Sequence, residues 1–339
     1  MEVGRILVPI ALAAGLTASL VPLTILTGRR LGVEDQPGKR RINDHPVPRL
    51  GGLAIYGGFM FALIFLPEPA GGRAALFFAA TAAFLVGLAD DLFGLKPVVK
   101  LGGQILAASI LPICGVSIRF LTNPLGGMIG LGWLAFPATV FWVVALMNMI
   151  NLIDGLDGLA AGVSAIAAFS LLFLPQCTQR PFVSMLCLLT IGCALGFLPF
   201  NFHPARTFMG DGGSHFFGFI LGYITVAGAL KGRAALTLSV PFLALAVPFA
   251  DTVLAVVRRW YRRQPIFAAD TEHLHHRLLF LGFNHRQTVL VLYLCSVFFG
   301  VGSVFLARLA ARSGALILIG LVACAALGLS RLGSNRSSG

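Results

Sequence analysis

Acidic residues are scarce in this chain: 13 Asp and Glu stand among 339 residues, and only 11% of residues are charged. Cysteine is sparse too. Cys114, Cys177, Cys187, Cys193, Cys295 and Cys324 form no CxxC pair and lie within or beside apolar segments. That spacing argues against a zinc ribbon or a redox pair, and the six are expected to be small packing residues with no disulfide. Polar stretches are few, the longest covering about residues 29–49 and 258–287. None has the length of a separate soluble domain. With 57% hydrophobic residues and a mean hydropathy of +0.89, a water-soluble core cannot account for the composition.

What is present is a series of apolar runs near 20 residues long, the length that crosses a bilayer. Eleven spans are expected, at 6–28, 50–66, 73–91, 97–115, 132–149, 157–175, 182–200, 213–230, 234–256, 288–308 and 314–330. The fold class is therefore all-α, a polytopic membrane protein. Residues 1–331 read as one transmembrane domain and 332–339 as a disordered tail. The first run lacks a polar cleavage region and is read as a retained span, not a signal peptide. The segment 118–131 is too short to span and reads as an external hairpin.

The net charge of +12 does not require nucleic acid. With the N-terminus outside, 17 of the 25 Lys and Arg fall in cytoplasmic loops and the C-terminal tail, as the positive-inside bias requires. The same orientation puts eleven of the thirteen acids and all seven histidines on the cytoplasmic side. A single active site at that face explains the grouping. An ion-coupled transporter, the rival from another class, would place its acids near the midplane of broken helices.

Four short patterns carry the chemistry. Asp90 and Asp91 end the third span in GLADDLFGL. Adjacent acids point to different sides of a helix, so one could bind a cation while the other takes a proton. A helix-end pairing with Lys96 or Lys100 is the alternative. Asn148, Asn151, Asp154 and Asp157 recur every three residues in MNMINLIDGLDGLAAG, which would set them along one helix face. Their oxygens suit Mg²⁺ or the hydroxyls and base of a nucleotide; capping of the next helix is the other reading for Asp157. FMGDGGS, residues 208–214, puts Asp211 among glycines at a helix start, a setting for metal and phosphate. His273, His275, His276 and Arg277 form HLHHR, which fits a diphosphate better than zinc, because no Cys supports a zinc site. His45 and His285 read as ordinary loop histidines. The basic loop 35–52 supplies Lys39, Arg40, Arg41 and Arg49, which could meet a phosphate; lipid head groups and the positive-inside bias are the other reading.

Taken together, PGKRR…PVPRLGG, ADD, NxxNxxDGxDGLA, FMGDGGS and HLHHR resemble the polyprenyl-phosphate N-acetylhexosamine-1-phosphate transferase family in order and spacing over nearly the whole chain. The resemblance implies transfer of a sugar 1-phosphate from a UDP-sugar to undecaprenyl phosphate, with release of UMP, at the cytoplasmic face of a bacterial inner membrane. It implies Mg²⁺, with Mn²⁺ as a substitute, held by Asp211 and Asn151. Asp90 or Asp91 would deprotonate or position the lipid phosphate. Asn148, Asp154, Asp157 and Phe208 would line the nucleoside pocket. His273, His275, His276 and Arg277 would grip the diphosphate, and Arg49 a phosphate. Apolar grooves would take the lipid chain. HLHHR is similar to the GlcNAc-1-phosphate branch, so UDP-GlcNAc is the expected donor and a cell-envelope glycan, such as O-antigen or wall polymer, the destination. Phospho-MurNAc-pentapeptide transfer is the alternative within the family. Asn43 and Gly94 depart from many members of the branch. A homodimer is left open.

Overall fold

A computed structural model describes residues 3–36, 45–65, 73–122, 128–173, 180–229 and 278–306, with residues 259 and 263. The described residues are mostly helical. In chain order the helices are α1 (Val3–Leu31), α2 (Gly51–Phe65), α3 (Arg73–Phe93), α4 (Pro97–Ile113), α5 (Ala135–Ile153), α6 (Leu159–Leu172), α7 (Pro181–Asn201), α8 (Gly210–Ala229) and α9 (His285–Leu306). They overlap the first eight expected spans and the tenth. The ninth and eleventh, and the tail, lie outside the described residues. Among the described residues, four segments are long and apolar enough to cross a membrane: Gly4–Leu31, Arg73–Phe93, Gly132–Ile153 and Pro181–Asn201. Gly51–Phe65, Pro97–Ile113 and Leu159–Leu172 are shorter apolar helices.

Among the described residues, two small antiparallel ladders interrupt the helical pattern. β1 (Glu34–Asp35) pairs with β2 (Val47–Pro48), closing the base of the basic loop. β3 (Phe120–Thr122) pairs with β4 (Met128–Gly130), so the segment expected to be a hairpin is one.

Helix α8 is the hub. It packs against α2, α3, α5, α6 and α7. Phe216, Phe217, Phe219, Ile220, Leu221 and Ile224 are all fully buried along it. A helix that is apolar all round belongs inside a bundle, and α8 is placed accordingly. In lipid, close approach of helices depends on small residues. Gly87 of α3 is the clearest case: a Cβ there would collide with the backbone of Asp211 and Gly212. This contact brings the C-terminal end of α3 against the first turn of α8.

The expectation of one helical face for Asn148, Asn151, Asp154 and Asp157 is corrected by the backbone. α5 stops at Ile153, and Asp154 is its C-terminal cap, donating its N–H to the Asn151 carbonyl at 3.3 Å. The chain then turns through Gly158, whose φ of +83° suits glycine, and α6 begins at Leu159. Asn148 and Asn151 share α5. Asp154 and Asp157 belong to the turn.

Candidate active site

Four helix termini meet at one end of the bundle: the C-terminal ends of α3 and α5 and the N-terminal ends of α4 and α8. α3 and α4 form a helical hairpin with the turn Gly94–Lys96 between them. Asp90 fixes that turn by accepting the Leu95 N–H at 2.7 Å. Pro97 opens α4 at a position where a missing N–H costs nothing. One turn into α4, Lys100 points back at α3.

Lys100 stands at the centre of the polar cluster. Its Nζ donates to Asp90 Oδ2 at 3.0 Å, to Asn151 Oδ1 at 3.4 Å, and to Asp211 Oδ2 in a short ion pair. Asn151 donates through Nδ2 to Asp211 Oδ1 and to Ser214 Oγ, both at 3.0 Å. These bonds decide which way its amide lies, so that its oxygen faces the ammonium. Asp90, Asn151 and Asp211, carried by three helices, therefore converge on one positive charge.

Asp91 faces elsewhere, as neighbouring positions on a helix must. Its side chain is only 2% exposed and pairs with Arg49 at 3.0 Å. It also accepts the backbone N–H groups of Asp211 and Gly212, both at 2.9 Å. These are among the first N–H groups of α8, which have no partner inside the helix, and a carboxylate is favoured at that positive end. Arg49, expected to meet a phosphate, is held by Asp91.

Beneath the acids lies a second polar group. Asn148 donates to Gln104 Oε1 at 2.8 Å, and Gln104 Nε2 lies 2.9 Å from His215 Nε2. Phe208 is half-buried, and its backbone is pinned on both sides: its N–H bonds to Pro48 O at 2.8 Å, and its carbonyl accepts the Gly51 N–H at 3.0 Å. Asp154 makes no side-chain ion pair among the described residues. Burial, and after it the like charges of Asp211 and Asp91, push its carboxyl well above the usual carboxylate range.

Asp157 anchors a third group. Its Oδ2 lies 2.8 Å from His203 Nδ1 and accepts the Ala205 N–H at 3.1 Å. Its own N–H donates to His285 Nε2 at 3.0 Å. His203 and His285 stack with ring centroids 4.2 Å apart. His285 is thus no loop histidine: it opens α9, is buried, and holds the turn after α5. His273, His275, His276 and Arg277 lie outside the described residues.

Gln104, His203 and His215 are polar residues of this end that the sequence patterns did not single out; Lys100 entered only as the alternative partner of the paired acids, and its pairing with Asp90 is what the structure shows. For Lys100 a signal existed: it is the one charge inside the apolar run 97–113, ten residues after Asp90.

Comparison with known proteins identifies the family. Glycosyl transferase family 4 matches residues 73–229, the stretch from α3 to α8. A Bacillus subtilis protein named "Probable undecaprenyl-phosphate N-acetylglucosaminyl 1-phosphate transferase" is 36% identical over 289 residues, covering 85% of this chain and 81% of its own length. A decaprenyl-phosphate N-acetylglucosaminephosphotransferase of Mycobacterium tuberculosis is 34% identical over 320 residues, with 83% and 78% covered. A phospho-N-acetylmuramoyl-pentapeptide-transferase of Desulforudis audaxviator is 30% identical over 323 residues, with 84% and 94% covered. The chain belongs to glycosyl transferase family 4.

Proposed function

We propose that this protein transfers GlcNAc 1-phosphate from UDP-GlcNAc to undecaprenyl phosphate and releases UMP, at the cytoplasmic face of a bacterial inner membrane. An oxygen of the lipid phosphate attacks the sugar-bearing β-phosphorus of the donor. The bond from that phosphorus to the bridging oxygen breaks, and UMP leaves with the electron pair. The observation that carries the reading is the convergence of Asp90, Asn151 and Asp211 on one cationic point. Two carboxylates and an amide oxygen form a hard donor set, and a positive charge already stands among them. Mg²⁺ fits such a set, with Mn²⁺ as a substitute. Asp211, Asn151 and Asp90 would hold it, and when bound it offsets the charge of the diphosphate and of the transition state.

The chain's own residues do the rest. Asp91 and Arg49 fix the first turn of α8 and so aim Asp211. Asp90, beside the cation, also positions or deprotonates the lipid phosphate. Asp154, on the turn after α5, accepts from the uridine part of the donor beside Phe208. Asp157 shapes that turn. His273, His275, His276 and Arg277 grip the diphosphate. The lipid tail lies along the apolar outer faces of the helices.

The full topology proposed is eleven spans with the N-terminus outside and the C-terminus in the cytoplasm. A C-terminal reporter active only in the cytoplasm should work, and a periplasmic signal would reject it. Transfer of phospho-MurNAc-pentapeptide remains the second reading, favoured by the likeness to the Desulforudis relative. Purified protein given undecaprenyl phosphate, Mg²⁺ and a panel of UDP-sugars separates the two. UMP should form fastest with UDP-GlcNAc; a preference for UDP-MurNAc-pentapeptide would reverse the assignment.

A further inference from the structure

We propose that Lys100 is a built-in occupant of the cation position, displaced when a divalent ion binds; this rests on the metal reading above. Asp90, Asn151 and Asp211 surround its Nζ from three helices. Those are the oxygens a hard ion would take, so ammonium and ion compete for one place. They cannot share it, because like charges at contact distance repel strongly in a partly buried site.

Charge balance favours exchange. The two carboxylates carry two negative charges, of which Lys100 neutralises one. A divalent ion in its place neutralises both. Without any cation, Asp90 and Asp211 would repel across the junction of α3 and α8, so the ammonium holds the metal-free site together. The side chain is built to leave. A lysine has a flexible four-carbon stem and a compact head, where an arginine fork would stay locked on its carboxylates. The Lys100 side chain is 17% exposed, which leaves it a path towards solvent. Its backbone stands in the first turn of α4, fixed after Pro97, so only the side chain need move.

Two measurements on the full chain in detergent test this. The first is Mn²⁺ binding, read by loss of the free-ion electron paramagnetic resonance signal. Lys100→Gln should bind Mn²⁺ about tenfold tighter or more, because the competing charge is gone. Equal or weaker binding overturns the proposal. Asp211→Asn is the control for the metal reading: it should lose the Mn²⁺ site, and if it binds like the parent protein the metal assignment itself is wrong. The second needs no variant. Acylation of Lys100 by an amine reagent, followed by mass spectrometry against Lys96, should rise when Mn²⁺ is added. Unchanged or reduced labelling of Lys100 overturns the displacement, even if Lys100→Gln does not fold.

Discussion

Asp91 accepts the backbone N–H of Asp211 at 2.9 Å, across 120 positions of sequence. The second of the paired acids therefore aims another carboxylate. Removing it should leave Asp211 present but misplaced. Asp91→Ala is expected to lower turnover about 10²-fold, the scale of a misplacement near 1 Å. The lost cap should also reduce stability by about 1–2 kcal/mol. Arg49→Ala leaves the Asp91 carboxylate buried without its partner. It should lower the melting temperature further than an exposed Arg→Ala does, with a cost of about 1–3 kcal/mol, because Arg49 is itself partly exposed. Turnover and melting curves of both variants check this. Normal turnover in Asp91→Ala would contradict the positioning role.

Asp211→Ala should behave differently. It removes a donor to the cation and leaves the cap in place. Transfer is expected to fall below detection, a loss of several kcal/mol of stabilisation at the diphosphate. Protein level and fold should hold. Near-normal turnover in Mg²⁺ would show that Asp211 is not a ligand.

Asp154 gives a pH signature. Its folded value is raised, so the proton it retains contributes stability below the ordinary value of 3.8. That contribution is lost as pH rises through the raised folded value. Asp154→Asn cannot lose a proton. The metal-free variant should gain stability relative to the parent as pH rises, while its KM for the UDP-sugar increases. Melting temperatures between about pH 4 and pH 8 test this, and a difference that shrinks with pH would oppose it.

His285 and His203 hold Asp157 from two sides. Their single Ala variants should raise KM for the UDP-sugar more than they lower kcat, because the turn beside the donor loosens. The two should also couple by about 1 kcal/mol in a double-mutant cycle, as contacting residues do. Additive effects would mean that the stacked pair does not act as one unit.

Much of this was legible in the sequence, and the rest was not for physical reasons. Apolar runs located the helices, because span length is a local property. The acids at helix ends marked the polar end of the bundle, where Asp90, Asp91 and Asp211 come together. What each acid touches depends on packing. That Asp90 meets Lys100 follows from a three-residue turn, Gly94–Lys96, whose geometry sets the register of α3 against α4. That Asp91 caps α8 follows from Gly87, which lets two helices distant in sequence approach. The three-residue spacing of Asn148 to Asp157 suggested one helix, yet the chain turns at Gly158 and sends Asp157 to His203 and His285. Periodicity marks which residues could be neighbours; it does not say where a helix ends.

In the proposed reaction, phosphorus travels with the sugar. The most direct measurement uses UDP-GlcNAc labelled at the β-phosphorus, with undecaprenyl phosphate, Mg²⁺ and the purified protein. Label should pass into the lipid extract in step with the sugar, leaving UMP in the water phase, and should not pass in Asp211→Ala. If the sugar reached the lipid while labelled UDP stayed behind, or if neither moved with any UDP-sugar offered, the proposed reaction would be wrong.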